Sequence, residues 1–212
     1  MKKLPLPLRT RATNIKLIII EGGDNLGKST LIEGLCQHFK YDNITLRHFD
    51  KPPKGMSPKE TLDFQFNCFN NEISFLHAAQ EIFTYTYNYY PNIFIWNRSH
   101  VGEYVYGQMF RGSEQKEILD SLLTFEFRNL YYMGLDTDTY LITHIADPEF
   151  FFKNEDGDSY AKTLEDKTKE LKLFKEIHEL STIKHKLLLK VDINGEWRSK
   201  EDMLNEVLNF IQ

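Results

Sequence analysis

Residues 15–20 are an apolar run broken only by Lys16, and Glu21-Gly22-Gly23-Asp24-Asn25-Leu26-Gly27-Lys28-Ser29-Thr30 follows directly behind it. Beyond lie Leu31, Ile32, Leu35, Cys36 and Phe39 at helical spacing. A buried strand, a glycine-bounded loop of fixed length and a helix in immediate succession leave few folds open. Gly22, Gly23 and Gly27 let the backbone curl so that successive N–H groups face inward at a phosphate. Lys28 adds a point charge for the outer phosphates, the Ser29 hydroxyl suits Mg²⁺, and the helix behind presents its positive end. Chance produces this pattern on the order of once per hundred chains of this size. Residues 22–30 are therefore expected to cradle a nucleoside triphosphate.

The remaining pattern alternates short β-rich runs with longer helical stretches. Strands are expected at Ile15–Ile20, Asn43–Phe49, Asn92–Trp96, Thr139–Ile145 and Leu187–Ile193. Helices are expected at about 30–40, 59–89, 102–110, 113–132, 162–180 and 201–211. Strands separated by helices pair in parallel through right-handed crossovers, which predicts an α/β fold, a five-stranded parallel sheet flanked by helices in three layers. No repeat, low-complexity segment or linker divides the 212 residues, so one domain is expected, with a basic N-terminal arm at 1–14. That arm lacks the apolar core of a signal peptide, and no run approaches the roughly 20 apolar residues of a spanning helix. Cys36 and Cys68 match no metal spacing, and a reducing, cytoplasmic setting is expected. A net charge of −5 disfavours strong nucleic-acid binding, although the arm keeps it possible.

The cradle alone does not separate a kinase from a GTPase or a motor. No NKxD base-reading motif is present. The apolar strand Ile93-Phe94-Ile95-Trp96 ends in Asn97 where a Walker B strand ends in Asp, and Arg98-Ser99-His100 follow. Here the chain resembles the thymidylate kinases. Glu21-Gly22-Gly23-Asp24 before Gly27-Lys28-Ser29-Thr30 is similar to their EGxDxxGKST loop, and Asn97-Arg98-Ser99 to their Asp-Arg-Tyr motif. Residues 102–107 and 155–159 also resemble divergent, virus-encoded members.

The resemblance implies a P-loop kinase fold, ATP as phosphate donor, Mg²⁺, small-molecule nucleotides as partners, and homodimerisation through packed helices. It implies that Asp24 meets the sugar 3′-hydroxyl of an acceptor monophosphate, Arg98 clamps the acceptor phosphate, and Ser29 with Asn97 serves the metal. Tyr106 can pack on the nucleoside, but an aromatic at that helical spacing is more often core, and the core is the preferred reading. The departures matter. Asn97 brings no charge to the metal, leaving Glu21, Asp50 and Glu103 to compensate. No arginine stands between Arg47 and Arg98, where the family reads its base, so Gln65, His77 and Gln80 are the alternatives. The lid expected at about 150–161 holds a single cation, Lys153, and the P-loop has Asn25 where some members place an arginine. Arg111 and Arg128 are the remaining suppliers, Arg111 the better placed.

Three functions follow in order of preference. The first is an ATP-dependent nucleoside monophosphate kinase acting on a deoxynucleotide, dTMP or a related pyrimidine first. The second is a kinase for a hydroxyl of a nucleoside, polynucleotide or modified base, which needs a general base such as Glu103 or Asp50. The third is a nucleotide-binding protein without catalysis.

Overall fold

The computed structural model describes residues 15–40, 42–49, 51–85, 92–131, 134–135 and 138–212, with side chains described for all of these except 80–85. The basic arm 1–14, Asp50 and the far end of the helix expected to reach residue 89 lie outside the described residues.

Strand β1 (Ile15–Gly22) runs through the middle of the molecule because both its faces are apolar: Leu17 and Ile19 enter one core, Ile18 and Ile20 the other. Around it stand β2 (Asn43–His48), β3 (Asn92–Asn97), β4 (Thr139–Ile145) and β5 (His185–Lys190), all parallel, in the order β2-β3-β1-β4-β5. The first core joins the sheet to α2 (Pro58–Tyr85), α3 (His100–Phe110), α4 (Gln115–Phe125) and α6 (Leu164–Leu180). The second joins it to α1 (Lys28–His38), α5 (Pro148–Lys153) and α7 (Lys200–Phe210). This is the expected three-layer α/β fold with a five-stranded parallel sheet. No described helix is long and apolar enough to cross a membrane.

Three elements differ from expectation, the first being the short helix α5, which no expected helix covers. The helix read as continuous over 113–132 widens into a π-helical turn at Glu126–Tyr131. There the buried Glu126 carboxylate meets His100 Nε2 at 3.1 Å and accepts from Ser181 Oγ and from Thr182 N and Oγ1, each at 2.6 Å. The strand read as Leu187–Ile193 leaves the sheet after Lys190. Asp192–Ile193 (β6) folds back against Glu196–Trp197 (β7), and the two-residue turn Asn194-Gly195 has φ of 53° and 77°. Both turn residues at positive φ suit a tight hairpin, for which Asn-Gly is the favoured pair. The hairpin sets Trp197 beside Gly27 of the loop after β1.

Candidate functional site

In an open parallel sheet ligands bind beyond the carboxyl ends of the strands, and the sequence-expected residues gather there. The loop from Gly22 to Gly27 leaves the end of β1. Gly22 (φ 130°) and Gly27 (φ 74°) take backbone conformations that a side chain resists. At Gly22 a Cβ would lie 2.7 Å from the His144 carbonyl oxygen. His144, on β4, braces the loop from below: burial pulls its imidazole down to about 4, so the neutral ring donates from Nδ1 to the Leu26 carbonyl at 2.6 Å. Helix α1 begins at Lys28 with no side-chain cap and no acidic residue in its first turn, whereas every other helix among the described residues has at least one of the two. Its first N–H groups are thus left for an anion. The Lys28 ammonium is buried and donates to the carbonyls of Gly22 (2.9 Å) and Gly23 (2.5 Å). Burial first, then the nearby Arg98 charge, pulls it down to about 8. An arriving phosphate supplies the counter-charge that these two carbonyls only partly replace.

Arg98 follows β3 with φ of 71°, an uncommon conformation for a residue with a side chain, its N–H bonded to the Ile20 carbonyl at 3.0 Å. Its guanidinium forms an ion pair with Asp24 of the P-loop and lies 5.6 Å from the centre of the Tyr106 ring. Two residues placed on motif grounds 74 positions apart therefore meet directly. Tyr106 is buried and packs against Phe174, so the core alternative holds for its ring. The ring nevertheless lies beside Arg98, and its hydroxyl donates to Glu170 Oε1 at 2.8 Å. Arg111 reaches the same pocket but is ion-paired with Glu103, whose carboxyl burial pushes up against the pull of that arginine. Glu21 accepts from Ser99 Oγ (2.7 Å) and Gly102 N (3.1 Å), which fastens the start of α3 to the end of β1.

Two cavities open beside this cluster. The first, about 20 Å³, is lined by Phe49, Lys51, Gln65, Phe69, Arg98, Glu103, Tyr106, Arg111 and Tyr160. Tyr160 in its wall is stacked on Phe110 at 5.3 Å with the Lys51 ammonium 4.2 Å from its ring centre. The second, about 560 Å³, lies on the far side of the P-loop between Asn25, Gly27, Thr30, Asp156, Trp197, Arg198 and Lys200. Trp197, 44% exposed, is braced edge-on by Phe150.

The region expected to be a lid is α5 followed by an irregular segment. Lys153, its single cation in the sequence reading, lies exposed at the end of α5, and Arg128 lies exposed on the π-helical turn. The cation that enters the lid is Lys167 of α6, fully buried, ion-paired with Glu155 and 3.0 Å from Ser159 Oγ. These contacts outweigh burial and hold the Glu155 carboxyl down at about 2. Lys167, Glu170, His144, Lys51, Tyr160 and Trp197 all escaped the sequence reading. Only Trp197 carried a local signal, the Asn-Gly turn just before it.

The metal expectation can be tested on donor chemistry. Asn97 Oδ1 is buried without a hydrogen-bond partner, and Ser29 is exposed at the start of α1. Among the described residues no group of three or more His, Cys, Asp or Glu side chains could hold an ion. One hydroxyl and one amide oxygen fit Mg²⁺ carried in on phosphates, which usually keeps several waters. They do not make a cage of protein ligands.

No protein-family model matches the chain, and no curated protein matches it. Solved structures do match in fold. YorR from Bacillus subtilis, in complex with phosphorylated GDP, superposes with a TM-score of 0.57 at 18% identity, over 92% of this chain and 95% of that one. Thymidylate kinase from Ehrlichia chaffeensis gives 0.58 at 13% identity, over 93% and 99%. Polyphosphate kinase 2 from Arthrobacter aurescens TC1 gives 0.57 at 13% identity, over 94% and 69%. The architecture is therefore that of the P-loop kinases.

Proposed function

We propose that the protein is a nucleoside monophosphate kinase that moves the γ-phosphate of ATP onto a deoxynucleoside monophosphate, dTMP or a related pyrimidine first. One observation carries the reading: the Asp24–Arg98 ion pair joins the P-loop, whose Asn25 and Gly27 line the larger cavity, to an arginine that lines the smaller. The larger cavity is of the size that takes a nucleoside, with Trp197 as a flat apolar wall beside Gly27. The smaller is lined by Phe49, Phe69 and Tyr106, with Gln65 in place of the absent arginine.

In this reading Lys28 trades its carbonyl partners for the β- and γ-phosphates while the N–H groups of residues 23–29 hold them. Arg98 grips the acceptor phosphate and offsets charge as the phosphoryl group passes, and Asp24 orients that guanidinium or accepts from the sugar hydroxyl. Ser29 and Asn97 would hold Mg²⁺, which would supply charge neutralisation on the phosphates. An anionic acceptor needs no strong base. A hydroxyl acceptor does; of its two sequence candidates, Glu103 is committed to Arg111 and Asp50 lies outside the described residues.

The test is ADP release from Mg-ATP against deoxynucleoside monophosphates, with nucleosides and DNA ends in parallel. Turnover confined to monophosphates is expected; turnover with a hydroxyl acceptor alone overturns the reading. Replacing Trp197 with Ala is expected to raise the KM for ATP roughly tenfold, the scale of one lost base stack, and Trp197→Phe to recover most of it. An unmoved KM places the base elsewhere. Asn97→Asp restores a charge beside the metal and is expected to lower the Mg²⁺ concentration for half-maximal rate several-fold, whereas an unaltered titration removes Asn97 from the site.

A further inference from the structure

Glu170 belongs to none of the motifs considered so far. It lies on α6, 1% exposed, with its carboxyl against the P-loop: a Cβ on Gly23 would come within 3.3 Å of the Glu170 carboxyl carbon. One oxygen, Oε1, accepts from the Tyr106 hydroxyl, and the other, Oε2, is buried with no hydrogen-bond partner. We propose that Glu170 is a positioning residue whose carboxyl, wedged between Gly23 and Tyr106, ties the phosphate loop to the acceptor clamp and takes up a proton when a nucleotide loads.

The inference rests on nucleotide binding at the P-loop, as proposed above, and not on which acceptor is used. An unpaired buried carboxylate oxygen is costly, and the cost falls when the group takes a proton. Burial pushes the Glu170 carboxyl up to about 7, so both forms are populated near neutral pH. The groups that face it come from three directions. The Tyr106 hydroxyl on α3 and the Lys167 ammonium one turn earlier on α6 favour the ionised form, as does Lys28 at the start of α1; Asp24 in the P-loop opposes it. From α5 the neighbour on the same glycine is the apolar Phe151, which adds no charge.

A triphosphate entering the loop brings several negative charges to the other side of Gly23. Lys28 turns toward them, and the ionised form of Glu170 loses part of its support while gaining a strong repulsion. The carboxyl then takes a proton, which has only Oε2 to go to while Oε1 keeps the tyrosine bond. Protonated, Glu170 still accepts from Tyr106, so the ring that underlies Arg98 keeps its place while the negative charge beneath the loop is removed. The donor and acceptor halves are thereby linked through one side chain.

The test is calorimetry of Mg-AMPPNP binding to the full chain at pH 7.5, in two buffers of different ionisation enthalpy, comparing wild type, Glu170→Gln and Tyr106→Phe. Lys28 also gains protonation on binding, and more so in Glu170→Gln because Glu170 favours its charged form, so the series is repeated at pH 6.5, where Lys28 is already largely charged and the difference isolates Glu170. Wild type is expected to take up a few tenths of a proton more than Glu170→Gln. Tyr106→Phe, which removes the bond favouring the ionised carboxylate, is expected to fall between them. Equal uptake in wild type and Glu170→Gln, with both binding, overturns the proposal while leaving the P-loop reading intact. A wild-type protein that does not bind Mg-AMPPNP overturns the reading itself, and the proposal with it. Glu170→Gln keeps volume and an acceptor oxygen, and its melting temperature, measured alongside, shows that the loss is not one of folding.

Discussion

Replacing Lys28 with Met is expected to lower kcat/KM for phosphoryl transfer by at least about 10³-fold, since it removes a charge aimed at the transferring group. The same substitution is expected to leave the nucleotide-free protein as stable as wild type or more so. The Lys28 ammonium is buried against two carbonyls and sits at about 8, below its ordinary 10.5. A group whose folded value is depressed binds its proton less tightly in the native state than in the unfolded chain. Below pH 8 the native protein therefore bears the full cost of keeping it charged, on the order of 3 kcal/mol. Between about 8 and 10.5 that cost fades, and above it the cost is gone. Thermal melts across this range should show Lys28→Met ahead of wild type at pH 7 and the gap closing as pH rises. Transfer within tenfold of wild type would mean that Lys28 does not meet the phosphates.

The opposed effects on activity and stability come from a loop that the sequence made legible. The strand, the glycines and the helix behind them are local features, and the physics of phosphate binding needs nothing from elsewhere in the chain. The parallel sheet was legible for the same reason, since strands separated by helices pair through crossovers, whereas its order β2-β3-β1-β4-β5 was not. What the sequence could not show was the company kept by these residues. Glu170 and Lys167 read as two of the many charges on a polar helix, and only their burial against Phe151 and Gly23 distinguishes them. His144 looked like an ordinary strand residue because its role is to hold one carbonyl of a loop 118 positions away. Asp24 and Arg98 were legible singly, from motifs. Their ion pair was not, because spacing along the chain carries no information on a contact across strand ends. Glu103, offered as a compensating carboxylate or a base, is held by Arg111 two turns on, at the C-cap of the same helix.

Arg98 separates chemistry from backbone strain, because two substitutions remove the same guanidinium and differ in the cost of the conformation beneath it. At φ of 71°, alanine keeps the left-handed penalty of about 1 kcal/mol that glycine avoids. Arg98→Ala and Arg98→Gly are both expected to lower kcat/KM for the acceptor by roughly 10²- to 10³-fold, the loss of one well-placed charged donor. Donor affinity, followed by Trp197 fluorescence, should change little, because the guanidinium lines the smaller cavity and not the one beside Trp197. Arg98→Gly is expected to melt above Arg98→Ala. Arg98→Lys is expected to recover only part of the rate, since a point charge cannot hold Asp24 and a phosphate with one planar fork. Equal melting of the Ala and Gly variants would show that β3 stores no strain at its end. Undiminished transfer in both would move the acceptor clamp to Arg111, whose release from Glu103 would then be the event to follow. The strained position is where the sheet hands over to chemistry: the Arg98 N–H is pinned to Ile20 on the central strand, so the guanidinium's aim at Asp24 is set by the most buried element of the fold. A clamp mounted in this way loses little entropy on gripping a phosphate, which is why its removal should be felt in the rate far more than in the stability.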